Sequence, residues 1–237
     1  MEAVPLTLTF EEVTYTRDQF RLTADGTFEE GIHLVSGKVG SGKSTLAFIA
    51  SGLVLPASGS VHRTGIRKSL LSMQFPEYHT TGITLNDEIR TWGLDPEVIL
   101  ASTRLYERGF QDIRVLSRGE LKRLHLGCVL SADADLLILD EPFSALDCRE
   151  KRVICRGITE RRPGTVIICT HEQTWLPPVD FIWEMQEGTL VSRGQVPAAI
   201  SQWSLAPRHI RDLLERGLVP GNISPGSVME ATCRTRE

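Results

Sequence analysis

The 237-residue chain carries 26 Lys and Arg against 30 Asp and Glu, a formal net charge of −4, which argues against a broad basic footprint, so no nucleic-acid partner is expected. Its hydrophobic content of 41% is enough for one large α/β domain or two small ones and excludes a disordered chain. The longest apolar runs, Leu136 to Leu139 and Val166 to Cys169, fall far short of the ~20 residues that cross a bilayer.

The first twelve residues show neither a basic region nor a long apolar one, so no secretory signal is expected. Five cysteines (Cys128, Cys148, Cys155, Cys169, Cys233) without C-x-x-C spacing argue against a disulfide framework or a zinc site and fit a reducing cytoplasm.

In chain order, polar and apolar residues alternate over Leu6 to Phe10 and over Phe20 to Thr23, broken by Asp25-Gly26. That is the period of half-buried antiparallel strands. Strand Ile32 to Val35 then runs into GKVGSGKST, Gly37 to Thr45, which contains the G-x-x-x-x-G-K-[ST] pattern of a phosphate-binding loop. Gly37, Gly40 and Gly42 allow main-chain N–H groups to close around a di- or triphosphate. Ser41 and Thr45 complete the loop, Lys43 reaches the β/γ-phosphates, and Ser44 offers a hydroxyl to Mg²⁺. The helix that follows aims its positive end at the same place.

Short strands are expected at Ser60 to His62 and at Leu70 to Met73, the latter delivering Gln74. Helices are expected from Thr84, from Asp95-Pro96 and from Ser117. Leu136 to Leu139 and Val166 to Cys169 read as parallel strands buried on both faces, joined by a crossover helix from Asp147 to Arg161. A last helix, Arg208 to Arg216, is stopped by Gly217 and followed by a Pro/Gly/Ser-rich tail.

Two strings carry further chemistry. In LLILDE, Leu136 to Glu141, a buried strand ends in two carboxylates, at the sheet edge where open α/β folds bind ligands. Asp140 is placed to hold Mg²⁺ and Glu141 to polarise a water for attack on a γ-phosphate. LSRGE, Leu116 to Glu120, read alone is a capping box with Ser117 at the N-cap and Glu120 at N3.

The order of phosphate loop, Gln74, LSRGE, LLILDE, Ser144 to Asp147 and Thr170-His171 resembles the ATP-binding cassette (ABC) ATPases over residues 5 to 195. The resemblance implies an α/β P-loop NTPase fold with a RecA-like parallel-sheet core, an antiparallel β subdomain and a helical subdomain at about 76–131. All of these lie within residues 1–200, with 201–237 as C-terminal helix and tail. It implies ATP and Mg²⁺ as cofactors, Tyr15 stacked on adenine, Gln74 as the metal-sensing glutamine, Glu141 as the water-orienting carboxylate and His171 as the γ-phosphate sensor. It further implies a second ABC ATPase subunit facing the first head to tail, so that Ser117 and Gly119 of one meet the nucleotide of the other. Arg118 and Glu120 depart from the commonest signature, LSGGQ. The charge of Glu120 is expected to be spent on its own helix, with Arg118 offsetting it further.

Phe75-Pro76-Glu77-Tyr78-His79 is similar to the Pro-acidic-x-Gln segment of energy-coupling factor (ECF) importer ATPases, which take up vitamins and transition metals, with His79 in place of the Gln. Integral membrane transport subunits would then be partners, and the chain would sit peripherally on the cytoplasmic face of the membrane. Another ABC transporter class stays open, as does a soluble ABC ATPase acting on DNA, although no coiled-coil insertion, zinc cysteines or paired cassettes are present. A small-molecule kinase would have no use for LSRGE or His171.

Overall fold

The computed structural model describes residues 5–161 and 164–233; the outermost residues of the N-terminal region and of the tail discussed above lie outside it. Nine strands among the described residues form one sheet in the order β4-β1-β2-β9-β8-β3-β7-β6-β5. Strands β1 (Thr7–Arg17), β2 (Phe20–Phe28) and β4 (Ser58–Thr64) form its antiparallel flank. The rest is a parallel core of β3 (Gly31–Gly37), β5 (Ser69–Ser72), β6 (Leu136–Asp140) and β7 (Thr165–Thr170), extended by the hairpin of β8 (Phe181–Gln186) and β9 (Thr189–Gln195). Alternation thus predicts antiparallel pairing correctly for β1 and β2, whereas β3 lies parallel to both β7 and β8.

Apolar runs suit the central strands because each of their faces is covered. Leu137, Leu139, Val166 and Ile168 face one core with Leu126, Val129, Ile154 and Ile158 of helices α4 (Arg118–Ser131) and α5 (Cys148–Glu160). Leu136, Ile138, Ile167 and Cys169 face the other, with Leu46 and Ile49 of α1 (Lys43–Ser51) and Phe10 and Phe28 of the antiparallel flank. A third apolar cluster joins Leu85 and Ile89 of α2 (Leu85–Thr91), Ile99 and Leu100 of α3 (Pro96–Ser102), and Leu124 and Cys128 of α4.

Helix starts follow local chemistry. Thr84 with Asp87, Ser117 with Glu120 and Asp147 with Glu150 each form a complete capping box. Asp95 caps α3 with Pro96 in the first turn. Helix α6 (Arg208–Glu215) ends before Gly217 at φ +75°. Beyond it the Pro/Gly/Ser-rich stretch is not a plain tail: α7 (Pro225–Cys233) forms there, opening on a proline. Strands β8 and β9 also escaped the sequence reading, because Glu184 interrupts an apolar run. Its carboxylate is fully buried, paired with Arg193 and bonded by the Leu205 N–H at 2.9 Å and the Ser204 hydroxyl.

His33 occupies the core just before the phosphate loop. Its Nε2 donates to Glu29 O at 2.8 Å, its Nδ1 accepts from Trp183 Nε1 at 3.1 Å, and its ring stacks on Phe181. Burial lowers its pKa from 6.5 to about 4, against the Glu29 bond and Asp180. The unfolded chain therefore binds the extra proton first as pH falls below 6.5, and stability declines until protonation of the fold itself near 4. The expected loss from this residue is roughly 2 kcal/mol of unfolding free energy between pH 7 and pH 5. Urea titrations should show it, with a shallower slope in His33→Gln; identical slopes would contradict the assignment.

Candidate nucleotide site

The phosphate loop joins β3 to α1. Gly42 is the N-cap of α1 in the left-handed region, φ +111°, with no side-chain cap, so the first N–H groups of the helix are left for a ligand. A side chain at Gly42 would also meet the Phe20 ring at 2.8 Å. Lys43 is 6% exposed; its Nζ donates to Gly37 O at 2.9 Å and Lys38 O at 3.1 Å and lies 3.5 Å from Glu141 Oε1.

Strand β6 brings Asp140 and Glu141 alongside. Burial pushes the Asp140 carboxyl above its ordinary range; a hydrogen bond from Ser44 opposes this, Glu141 adds repulsion, and Lys43 and Lys122 pull it down. Asp140 Oδ1 and Ser41 Oγ are buried without a hydrogen-bond partner. An unpartnered carboxylate oxygen next to a serine hydroxyl suits a hard divalent cation. An unpartnered hydroxyl inside the loop suits a phosphate oxygen.

Glu141 takes the left-handed conformation, φ +47°, an expensive choice for a residue with a side chain. Its carboxylate accepts from Thr170 Oγ1 at 2.9 Å and from His171 N at 3.1 Å, and meets His171 Nδ1 at 2.7 Å. The His171 side chain is 52% exposed, so its far edge looks outward. A groove lined by Glu141, Ser144, Ala145, His171 and Thr174 opens at this point. Lys43, Ser44, Asp140, Glu141 and His171 are thus brought together.

Ser117 and Gly119 are not. Ser117 is exposed, and among the described residues no hydrogen bond or ion pair ties either residue to the phosphate loop; the backbone of Gly119 lies instead against Ala145 O. Glu120 Oε2 accepts from Ser117 N at 2.9 Å and Ser117 Oγ at 2.8 Å, while Arg108 pairs with Oε1. The Ser117 N–H, then Arg108, hold its carboxyl down at about 2. The charge of Glu120 is spent on its own helix, as expected, but the offsetting cation is Arg108. Arg118 turns instead toward Glu77, 3.7 Å away.

Tyr15 lies half-buried on β1 against the core opposite Leu22, whereas it is the Phe20 ring that a side chain at Gly42 would meet. Gln74 is half-buried, and its carbonyl accepts from Lys122 Nζ at 3.0 Å. His79 turns inward: Met73 N donates to its Nε2 at 3.0 Å and its ring stacks on His125 at 4.7 Å. Neither Lys122 nor His125 was singled out from the sequence. The available signal was position, since 122, 125, 126 and 129 share the buried stripe of α4.

The family model described as "ABC transporter" matches residues 25–144. Energy-coupling factor transporter ATP-binding protein EcfA1 of Thermotoga maritima is 31% identical over 207 residues, 78% of this chain and 80% of that protein. EcfA2 of the same organism is 29% identical over 233 residues, 85% and 86% of the two chains. A solved structure titled "Structure of ATP binding subunit of ABC transporter" superposes with a TM-score of 0.70 at 19% identity, over 88% of this chain and 98% of that one, which shows the shared fold. With half the chain inside the family model, relatives matched along most of their length and the fold in common, the chain belongs to the ABC transporter family as an ATP-binding ATPase subunit.

Proposed function

We propose that this chain is the ATPase of an ECF-type importer for a vitamin or metal ion, working by ATP-driven closure of two ATPase subunits. The observation that carries the importer class is the likeness to two ECF ATP-binding proteins over 78% and 85% of this chain. Surface chemistry beside Gln74 supports a membrane partner: Phe75, Tyr78 and Ile83 are 41%, 74% and 72% exposed, next to a groove lined by Glu77, Thr80, Leu116 and Leu121. Isolated exposed apolar residues are ordinary, but the Phe75 and Tyr78 rings stand edge to face at 6.0 Å, and grouped exposed apolar side chains favour an interaction surface. Among the described residues no helix is long and apolar enough to cross a membrane. In this reading the chain sits peripherally, on the cytoplasmic face, with cargo read by a separate membrane subunit. The division into an ATPase region of residues 1–200, a helical lobe at about 76–131 and a C-terminal part at 201–237 is part of this reading; the separate apolar cluster of α2, α3 and α4 supports the lobe.

In the proposed reaction the N–H groups of the loop and the Lys43 ammonium bind the β- and γ-phosphates, with Ser41 donating into the loop. Mg²⁺, held through Ser44, Asp140 and Gln74, would neutralise charge on the phosphate oxygens. The Glu141 carboxylate orients a water whose oxygen bonds to the γ-phosphorus as the bond from that phosphorus to the β-bridging oxygen breaks. ADP leaves with the electron pair, and the proton of the water passes to Glu141 or to the phosphate formed. His171, steered by its Nδ1 contact to Glu141, presents its other edge to the γ-phosphate. Tyr15 stacks on adenine. The exposed signature, with Ser117 and the N–H of Gly119, completes the site of the partner subunit.

Glu141→Gln should leave ATP binding intact and slow turnover by roughly a hundredfold or more; near-normal hydrolysis would remove Glu141 from the water-orienting role. Lys43→Ala should weaken nucleotide binding itself, and labelled ATP bound normally by that variant would show the loop assignment to be wrong. Tagged in its own cell and extracted from membranes in mild detergent, the protein should bring down a small substrate-binding membrane protein and a separate coupling subunit, identified by mass spectrometry. Recovery with a single paired permease would reassign it to another ABC class. Recovery only from the soluble fraction would refute the transport reading.

A further inference from the structure

Helix α4 faces two ways. Its N-terminus is the exposed signature, whereas Lys122, one turn on, runs into the molecule and is 1% exposed. Taking its ammonium out of water is costly and has to be offset by neighbouring oxygens. Its Nζ is held by two main-chain carbonyls, Gln74 O at 3.0 Å and Met73 O at 3.4 Å, and the carboxylates of Asp140, Glu141 and Glu77 supply the opposing charge. The same short stretch is gripped elsewhere. Ser72 Oγ meets His125 Nε2 at 3.1 Å, and Met73 N donates to His79, whose ring is stacked on that of His125. Three consecutive residues at the end of β5, Ser72 to Gln74, are thus fastened to side chains of α4 and of the turn after β5. Among the described residues β5 pairs with β6 alone, the strand that ends in Asp140.

A movement of Gln74 therefore has a short, packed route to the signature. We propose that Lys122 is a positioning residue that links the two half-sites: by fixing α4 to the main chain of Gln74, it makes nucleotide in this chain's own loop set how its signature meets the partner's nucleotide. The inference rests on the shared-site reading above. A purely structural role would show in stability; a linking role shows in cooperativity.

The test compares the full-length protein with Lys122→Met, which keeps the buried stem and removes the donors. Three quantities are read: hydrolysis rate against ATP concentration, binding of a fluorescent ATP analogue, and Tm. Wild type should hydrolyse ATP with a Hill coefficient well above one, up to about two for two sites. Lys122→Met should fall to about one and lose about tenfold in kcat with analogue affinity within about twofold, while Tm falls because Met73 O, Gln74 O and the nearby carboxylates lose their partner; the Hill coefficient, not Tm, reads the link. Lys122→Gln, which keeps a donor without the charge, should give an intermediate Hill coefficient and takes over the test if the Met variant does not fold. A Hill coefficient as high as that of the wild type in either folded variant overturns the inference alone. A Hill coefficient of one in the wild type overturns the shared-site reading and the inference with it.

Discussion

A lysine ammonium buried to 6% exposure must be surrounded by oxygen, and much of this structure follows from how that is done for Lys43. Two of the oxygens, Gly37 O and Lys38 O, come from the loop in which Lys43 itself sits. The third group, the Glu141 carboxylate, comes from a strand far away in sequence. It can be there only because β3, β7 and β6 run parallel and side by side, so that their carboxyl ends finish at one edge. The two-sided apolar packing of those strands is therefore what places a cation and two carboxylates together. A phosphate entering the loop would compete for Lys43 and free Glu141 for water.

The second constraint is on Glu141. A left-handed backbone and a buried carboxylate are both expensive, and both persist because Thr170 and His171 supply donors from the neighbouring strand end. His171 is positioned by the residue whose chemistry it would assist. The signature helix is arranged on the opposite logic: its capping box satisfies Ser117 and Glu120 within the helix, with Ser117 exposed and Gly119 half-exposed at its N-terminal end. One chain thus supplies a buried cradle for phosphate and an outward-facing helix end that does not reach that cradle.

What could be read from the sequence was what local chemistry decides. Glycines at Gly37 and Gly42, the apolar runs of β6 and β7, and the caps at Thr84, Asp95, Ser117 and Asp147 each act within a few residues, so their patterns survive in the linear string. What escaped depends on partners distant in sequence. Glu184 hides a strand because Arg193 and the segment around Ser204 neutralise it only in the fold. Lys122 looks like surface until carbonyls from Met73 and Gln74 arrive beside it. His79, which stands where the similar ECF segment has Gln, is drawn inward by the Met73 N–H and by His125. Arg108 replaced Arg118 as the partner of Glu120 because the loop before α4 returns to its N-terminus.

The central claim is that the buried cradle and the exposed signature belong to one site built from two chains. Its most direct test is the mass in solution, by light scattering, of Glu141→Gln with and without saturating ATP. The account predicts a monomer without nucleotide and a dimer with it, reversed when ATP is removed. A monomer at saturating ATP, in protein that demonstrably binds the nucleotide, would contradict it.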